Sequence, residues 1–256
     1  MRNFEPLRFP FVLPQDIEPG LSPWYNGIIP IPEVTAMDRV SQCFLNSLRC
    51  ALRGTALEQS PQLNHDDWDT VFRMAGTHHV LPMVFEAVHT LPELREYPAL
   101  PALRRSVFQQ VMIQTRKTAE FLPLMQTLSD AGIRPLVVKG IVCRELYPKP
   151  DHRISSDEDV LISPSQAAMC HEIFSRSGLI TGTEDRLRET AYEIPYRNPQ
   201  GALYIELHRY LFPPESAAYG DLNRFFRDAS RRAVCHSIGG TEVWSLEYTD
   251  HLFYLI

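Results

Sequence analysis

The most informative segment of the sequence is Arg153-Ile-Ser-Ser-Asp157-Glu158-Asp159-Val-Leu-Ile162, in which acidic side chains stand directly before an apolar strand. In an extended chain, side chains two residues apart point to the same face. We therefore expect Asp157 and Asp159 to lie side by side, with Glu158 turned away. Two carboxylates this close repel each other unless a cation lies between them. Hard oxygen ligands suit Mg²⁺ or Mn²⁺, so the stretch predicts a metal site at the edge of a sheet.

An isolated Asp-x-Asp pair is more often a solvated acidic turn than a metal site. The sequence on either side of this pair favours the metal site. Before it, residues 133–138 form a β-branched run that predicts a buried strand, and Lys139-Gly140 predicts the turn that ends it. After it, residues 204–208 alternate apolar and polar side chains and add a third acid, Glu206. By the same alternation, His208 shares the face of Glu206.

The rest of the chain predicts three further regions. Residues 1–34 contain seven prolines, which predict an extended arm. Residues 35–130 repeat apolar side chains at three- and four-residue spacing, which predicts a helical region. Residues 131–248 hold the strand patterns and predict the core. Residues 249–256 begin a C-terminal helix that stops without a cap, which is typical of a chain that continues further.

Composition excludes several classes of protein. The net charge of −6 and the sequence pI near 5.8 argue against general binding of duplex nucleic acid, which needs a basic surface. The five cysteines are dispersed, which argues against a disulfide framework or a zinc site and favours a reducing cytosol. The first residues lack the apolar run of a signal peptide, and no segment has the roughly 18 apolar residues of a membrane-spanning helix, so we expect neither. We therefore expect a cytoplasmic protein.

The order of these motifs resembles a family of bacterial nucleotidyltransferases known only from their sequences, within the DNA polymerase beta-like superfamily. The matching motifs are Gly132-Ile-Arg-Pro-Leu-Val-Val-Lys139-Gly140, Leu146-Tyr-Pro, Arg153-x-x-Ser156-Asp157-x-Asp159-Val-Leu-Ile and Ile205-Glu206-Leu-His208. The resemblance extends over roughly residues 67–256. It implies an α+β fold, with a small mixed sheet of the nucleotidyltransferase type and a helical N-terminal region.

The resemblance also implies an activity. Such an enzyme transfers a nucleoside monophosphate from an NTP to a hydroxyl-type acceptor on a small molecule, a protein or RNA, using Mg²⁺ or Mn²⁺. Asp157 and Asp159 match the metal-binding pair of the family, and Glu206 stands where its third carboxylate belongs. Metal ions held in this way would orient the triphosphate and lower the pKa of the attacking hydroxyl.

Several other residues are candidates for binding the nucleotide and its phosphates: Lys139, Gly140, Arg153, Ser156 and His208. The wider superfamily has a Gly-Ser turn after the first strand, whereas this chain has Lys139-Gly140 followed by isoleucine, so Lys139 would supply a cation instead. Arg153 would clamp a phosphate through two hydrogen bonds, or is simply an exposed loop arginine. A further departure is Glu158, where the family usually carries an apolar residue.

Two other classes of function remain open. The chain is alternatively a catalytically degenerate member that binds a nucleotide or a partner protein, or a helical interaction module. Retention of all three carboxylates speaks against the degenerate member, because a pure binder does not need them. An interaction module leaves the acids unexplained. The resemblance implies an NTP donor, and the sequence leaves the donor base, the acceptor and the oligomeric state open.

Overall fold

The computed structural model describes residues 37–184 and 190–255, and the predicted arm at 1–34 lies outside these ranges. Three helices form an N-terminal layer, namely α1 (Arg39–Leu52), α2 (His65–Thr77) and α3 (Leu81–Val88). Asn64 begins α2 with a capping box, in which its side chain accepts from the N–H of Asp67 and its own N–H donates to the Asp67 carboxylate. Trp68, Val71 and Phe72 then bury one face of α2. Helix α2 therefore begins at a satisfied cap and packs through one apolar face.

Helix α4 (Leu100–Asp130) extends from the helical layer to the sheet. Its 31 residues correspond to a length of about 46 Å. Val107, near its start, packs with the core of the helical layer, whereas Phe121 and Leu124 pack in the core under the sheet. One helix therefore connects both halves of the described chain.

Within the described ranges, six strands form one mixed sheet in the order β3-β4-β2-β1-β6-β5. The strands are β1 (Leu136–Val137), β2 (Glu158–Leu161), β3 (Glu193–Arg197), β4 (Tyr204–His208), β5 (Val234–Ile238) and β6 (Thr241–Ser245). Two neighbouring pairs are parallel, β1 with β6 and β2 with β4, and the other pairs are antiparallel. Helices and a mixed sheet on one chain confirm the predicted α+β class.

Shorter helices complete the chain. They are α5 (Ile141–Arg144), α6 (Ala167–Arg176), α7 (Ala229–Arg232) and α8 (Tyr248–Leu255), with 3₁₀ turns at Pro92–Glu96, Pro150–His152, Pro164–Gln166 and Gly220–Phe226. None of the helices in the described ranges has the length and apolar run needed to cross a membrane. The boundaries given above for the helical region and the core stay predictions.

The two faces of the sheet have different surroundings. Val160 and Leu207 point into the main core, where they meet side chains of α4 and α6. Leu136 and Leu161 belong to a second cluster with residues of the 211–246 segment. Because side chains alternate along a strand, Asp159 lies on the same face of the sheet as Leu161.

Two strand predictions need correction. The run at 133–138 contributes only Leu136–Val137 to the sheet, because Pro135 has no N–H to donate to a neighbouring strand. The β5–β6 hairpin was not predicted. Its signal is the Gly239-Gly240 pair, whose φ angles of +57° and +83° suit a tight hairpin turn between two β-branched runs.

Candidate metal and nucleotide site

Asp159 and Glu206 are direct neighbours on the parallel strands β2 and β4. Partners in register point to the same face, so their carboxylates lie side by side. Only 2% of Asp159 is exposed to solvent, whereas Glu206 is partly exposed. The Oδ2 atom of Asp159 is buried and has no hydrogen-bond partner among the described residues. A buried carboxylate oxygen without a donor is an unusual feature that a bound cation would explain.

His208 lies two residues beyond Glu206 on the same face of β4, as the alternation predicted. Its Nε2 lies 3.2 Å from Oδ1 of Asp159 and 3.7 Å from Oε2 of Glu206. One ligand atom from each of Asp159, Glu206 and His208 lies within 4.8 Å of the others. Two carboxylates and an imidazole at this spacing are able to hold a divalent cation.

The charges of the site favour such a cation. Burial raises the pKa of Glu206, and the negative charges of Glu193, Asp157 and Asp159 raise it further. Burial also acts to raise the pKa of Asp159. The hydrogen bond to His208 and the charge of Lys139 outweigh that effect, so the pKa of Asp159 is lowered. Asp159 is therefore ionised, and Glu206 experiences the excess of negative charge.

The sequence predicts that Asp157 forms the metal-binding pair with Asp159. It directly precedes β2 at the partly exposed rim of the site, and its Oδ1 accepts a hydrogen bond from Ser156 at 2.8 Å. It does not belong to the group whose ligand atoms lie within 4.8 Å of one another. Its charge nevertheless acts on Glu206. The structure thus brings Asp159 and Glu206 together with Asp157 nearby, and the metal-binding role of Asp157 stays a prediction.

Lys139 follows β1 and reaches the same site. Its Nζ lies 3.5 Å from Oδ1 of Asp159 and 5.1 Å from the centre of the Tyr254 ring. Burial acts to lower the pKa of Lys139, but the charges of Asp159 and Tyr254 outweigh this and raise it. Lys139 is therefore a charged side chain directly beside the buried carboxylate.

Gly140 has a structural reason to be glycine. Its φ angle is +57°, and a Cβ atom added there would lie 1.8 Å from Oε2 of Glu158. Glu158 is fully buried, with Oε2 accepting from the N–H of Ile141 at 2.6 Å and Oε1 accepting from Arg144 at 2.5 Å. Glu158 therefore forms an ion pair on the face of the sheet opposite Asp159, as the alternation along the strand predicted. This pair explains how an acid is buried in strand β2, at a position where the family usually carries an apolar residue.

Helix α4 holds the loop that leads into β2, which the sequence analysis missed. Lys117 donates to the carbonyls of Ser155 and Ser156 at 2.7 and 2.5 Å, and Gln114 donates to Ser155 at 3.1 Å. Both α4 side chains are at least 95% buried. The signal was available, because Gln114 and Lys117 fall on the same helical stripe as the buried Phe121.

Arg153, four residues before Asp157, is half-buried. Its Nη1 is buried and finds no hydrogen-bond partner in the described part of the chain. Its positive charge reaches the Cys143 thiol in α5, although burial raises the pKa of that thiol overall. Arg153 therefore has a buried N–H donor without an acceptor among the described residues, and an anion would supply that acceptor.

Comparison with known proteins identifies the family of the chain. Residues 64–256 match the sequence profile of a family described as uncharacterised nucleotidyltransferases. No curated protein matches the chain significantly. A solved structure, that of an antigenic nucleotidyltransferase-like protein from Paracoccidioides brasiliensis, is similar over 53% of this chain and 60% of its own, at 16% identity and a TM-score of 0.34. The family match covers most of the sequence, and the chain therefore belongs to this family of uncharacterised nucleotidyltransferases.

Proposed function

We propose that the protein is a nucleotidyltransferase that depends on Mg²⁺ or Mn²⁺ and moves a nucleoside monophosphate from an NTP to a hydroxyl-type acceptor. The acceptor would belong to a small molecule, a protein or RNA. The observation that carries the proposal is the buried, unpartnered Oδ2 of Asp159 beside Glu206 on the neighbouring strand. Membership of the family supports the reaction class.

The residues present fit a divalent cation. Asp159 and Glu206 supply hard oxygen ligands. Burial raises the pKa of Glu206, and the neighbouring carboxylates raise it further through a repulsion that a cation would relieve. Mg²⁺ typically takes one or two carboxylates and fills its remaining positions with water and substrate phosphates. Asp157, at the rim, would join as the third carboxylate, and His208 would orient Asp159 through its hydrogen bond. The bound metal would supply charge neutralisation for the triphosphate and acidify the attacking hydroxyl.

We assign the phosphates of the NTP to the cationic side of the site. Lys139 is charged and partly exposed next to Asp159, and Arg153 has a buried N–H without an acceptor. Ser156 would add a hydroxyl at the rim, and Gly140 keeps the turn after β1 free of a side chain. These residues would hold the triphosphate in line for attack, and positioning is a major part of phosphoryl-transfer catalysis.

We place the protein in the cytoplasm. Its five cysteines carry no disulfide, which suits a reducing compartment. Its net charge of −6 favours a nucleotide site in a local basic pocket over general binding to duplex nucleic acid.

The direct test is transfer of label from each of the four α-³²P-labelled NTPs with Mg²⁺ or Mn²⁺, alone and with cell extract. We expect label on a protein, RNA or small-molecule acceptor, lost with EDTA and in Asp159→Asn. Asp66→Asn, an exposed acid at the start of α2, is the matched control and should transfer normally. Transfer that survives Asp159→Asn, or no transfer with any NTP in extract, would contradict the proposal.

A further inference from the structure

A cavity of about 810 Å³ lies at the end of β2 that is remote from Asp157. Its walls come from the residues that follow β2 and β4, the residues that precede β1, and the segment 220–230. The volume falls within the range of about 300–1,000 Å³ that is typical of small-molecule pockets. Because Leu161 lines it two residues beyond Asp159, the cavity begins further along the same face of the sheet.

Apolar side chains form part of the cavity wall. Leu136 and Leu161 are register partners on β1 and β2, and they contribute adjacent surfaces. Leu211 and Phe226 complete this wall and belong to the same buried cluster. The wall is therefore built from ordered core residues and suits an apolar part of a ligand.

The charge of the lining is opposite to that of the whole protein. Four arginines, Arg134, Arg209, Arg224 and Arg227, line the cavity together with a single acid, Asp221. Within residues 37–184 and 190–255, no carboxylate lies within 4.0 Å of the guanidinium groups of Arg134, Arg224 or Arg227. In a protein of net charge −6, these three arginines concentrate positive charge that no carboxylate of the described residues neutralises at contact distance.

Two of these guanidinium groups have fixed places. That of Arg134 stacks at 4.5 Å over the Trp244 ring and donates to the carbonyl of Ser230 at 2.8 Å. That of Arg224 lies 4.8 Å from the centre of the Phe225 ring. Each guanidinium has five N–H donors in a planar fork that matches the oxygens of a phosphate or carboxylate. Stacking uses the face of the group and leaves donors at its edge.

We propose that this cavity binds a small molecule that combines an oxyanion, phosphate or carboxylate, with an apolar part. The oxyanion binds the arginines and the apolar part packs on the leucine and phenylalanine wall. The site does not use the carboxylates of the proposed metal centre, so binding here does not require a metal.

Calorimetry in EDTA tests this with three probes, namely phenyl phosphate, benzoate and neutral benzamide. We expect saturable binding of phenyl phosphate or benzoate, the tighter of which identifies the preferred oxyanion, and none of benzamide. Loss of a hydrogen bond to a charged group weakens binding about tenfold, so Arg224→Gln and Arg227→Gln should each raise the Kd by about that factor.

Two control variants make the assignment specific. Arg231→Gln removes an exposed arginine outside the cavity that pairs with Asp228, and Lys139→Gln removes a cation at the carboxylate site. Both should leave the Kd unchanged. The proposal is overturned if neither oxyanion binds saturably, or if Arg231→Gln raises the Kd as much as the cavity variants do. Loss of binding only in Lys139→Gln would also overturn it, because the anion would then lie beside Asp159.

Discussion

Replacement of Arg144 by methionine tests whether the buried ion pair beneath the candidate site holds β2 in place. Arg144 is 1% exposed and donates to Glu158 at 2.5 Å, and to the Gln114 carbonyl and the Thr118 hydroxyl at 3.2 Å each. Removing one partner of a buried pair typically costs about 3–5 kcal/mol, because the other charge remains buried. Since the N–H of Ile141 still donates to Glu158, we expect the free energy of unfolding to fall by about 3 kcal/mol, near the lower end of that range.

Urea unfolding at pH 7 measures this loss, and a double variant separates the charge from the packing. Arg144→Met combined with Glu158→Leu removes both charges, so the loss should shrink to about 1–2 kcal/mol, the cost of the polar groups left unpaired. Arg231→Met, whose side chain is 83% exposed, should change stability by less than about 0.5 kcal/mol.

The pH dependence gives an independent check on the same pair. Burial raises the pKa of Glu158, and loss of Arg144 should raise it further. A carboxyl whose folded pKa is raised contributes stability below its ordinary value of 4.5 and loses it as the pH rises through the folded pKa. The deficit of Arg144→Met relative to wild type should therefore be smallest in acid and grow towards pH 7. A loss of stability below about 1 kcal/mol at pH 7, or a deficit independent of pH, would show that Arg144 does not neutralise a buried charge on Glu158.

Three further outcomes follow from the geometry. Gly140→Ala should destabilise the protein by about 1–2 kcal/mol more than Gly178→Ala, because both residues have positive φ but only the new Cβ at position 140 meets Glu158. Equal losses of unfolding free energy in urea would contradict this. Lys117→Met should weaken Mn²⁺ binding, because the loop before β2 loses two hydrogen bonds, and calorimetry measures this change. An unchanged Mn²⁺ affinity would show that other contacts hold the loop. As the pH falls, Mn²⁺ affinity should begin to weaken while the pH is still above 4.5, because burial and the neighbouring carboxylates raise the pKa of Glu206 and it takes up a proton. A Mn²⁺ affinity that does not change down to pH 4.5 would exclude Glu206 as a ligand.

Local patterns were sufficient to predict much of the site. Alternation along an extended chain placed Glu206 and His208 on one face and turned Glu158 away from Asp159. These predictions succeed because the side-chain period of a strand is fixed by backbone geometry. The pairing of β2 with β4, which joins the two acids, depended on resemblance to the family, since register between distant segments is not a local property.

Long-range contacts account for what the sequence analysis missed. Nothing in the spacing around Arg144 indicates its partner, and only the folded structure brings it to Glu158. Lys117 lies 38 residues before Ser155, so nothing local links the two. In both cases a buried polar side chain finds its partner through tertiary packing, and such partners cannot be inferred from spacing along one chain.

The most direct test of the metal site is anomalous diffraction from crystals soaked in Mn²⁺ with a non-hydrolysable NTP analogue. We predict an anomalous peak at a coordination distance of about 2 Å from carboxylate oxygens of both Asp159 and Glu206, with phosphate oxygens completing the shell. A peak that also contacts Asp157 would support its role as the third ligand. No peak at saturating Mn²⁺, or a peak that contacts neither Asp159 nor Glu206, would contradict the account.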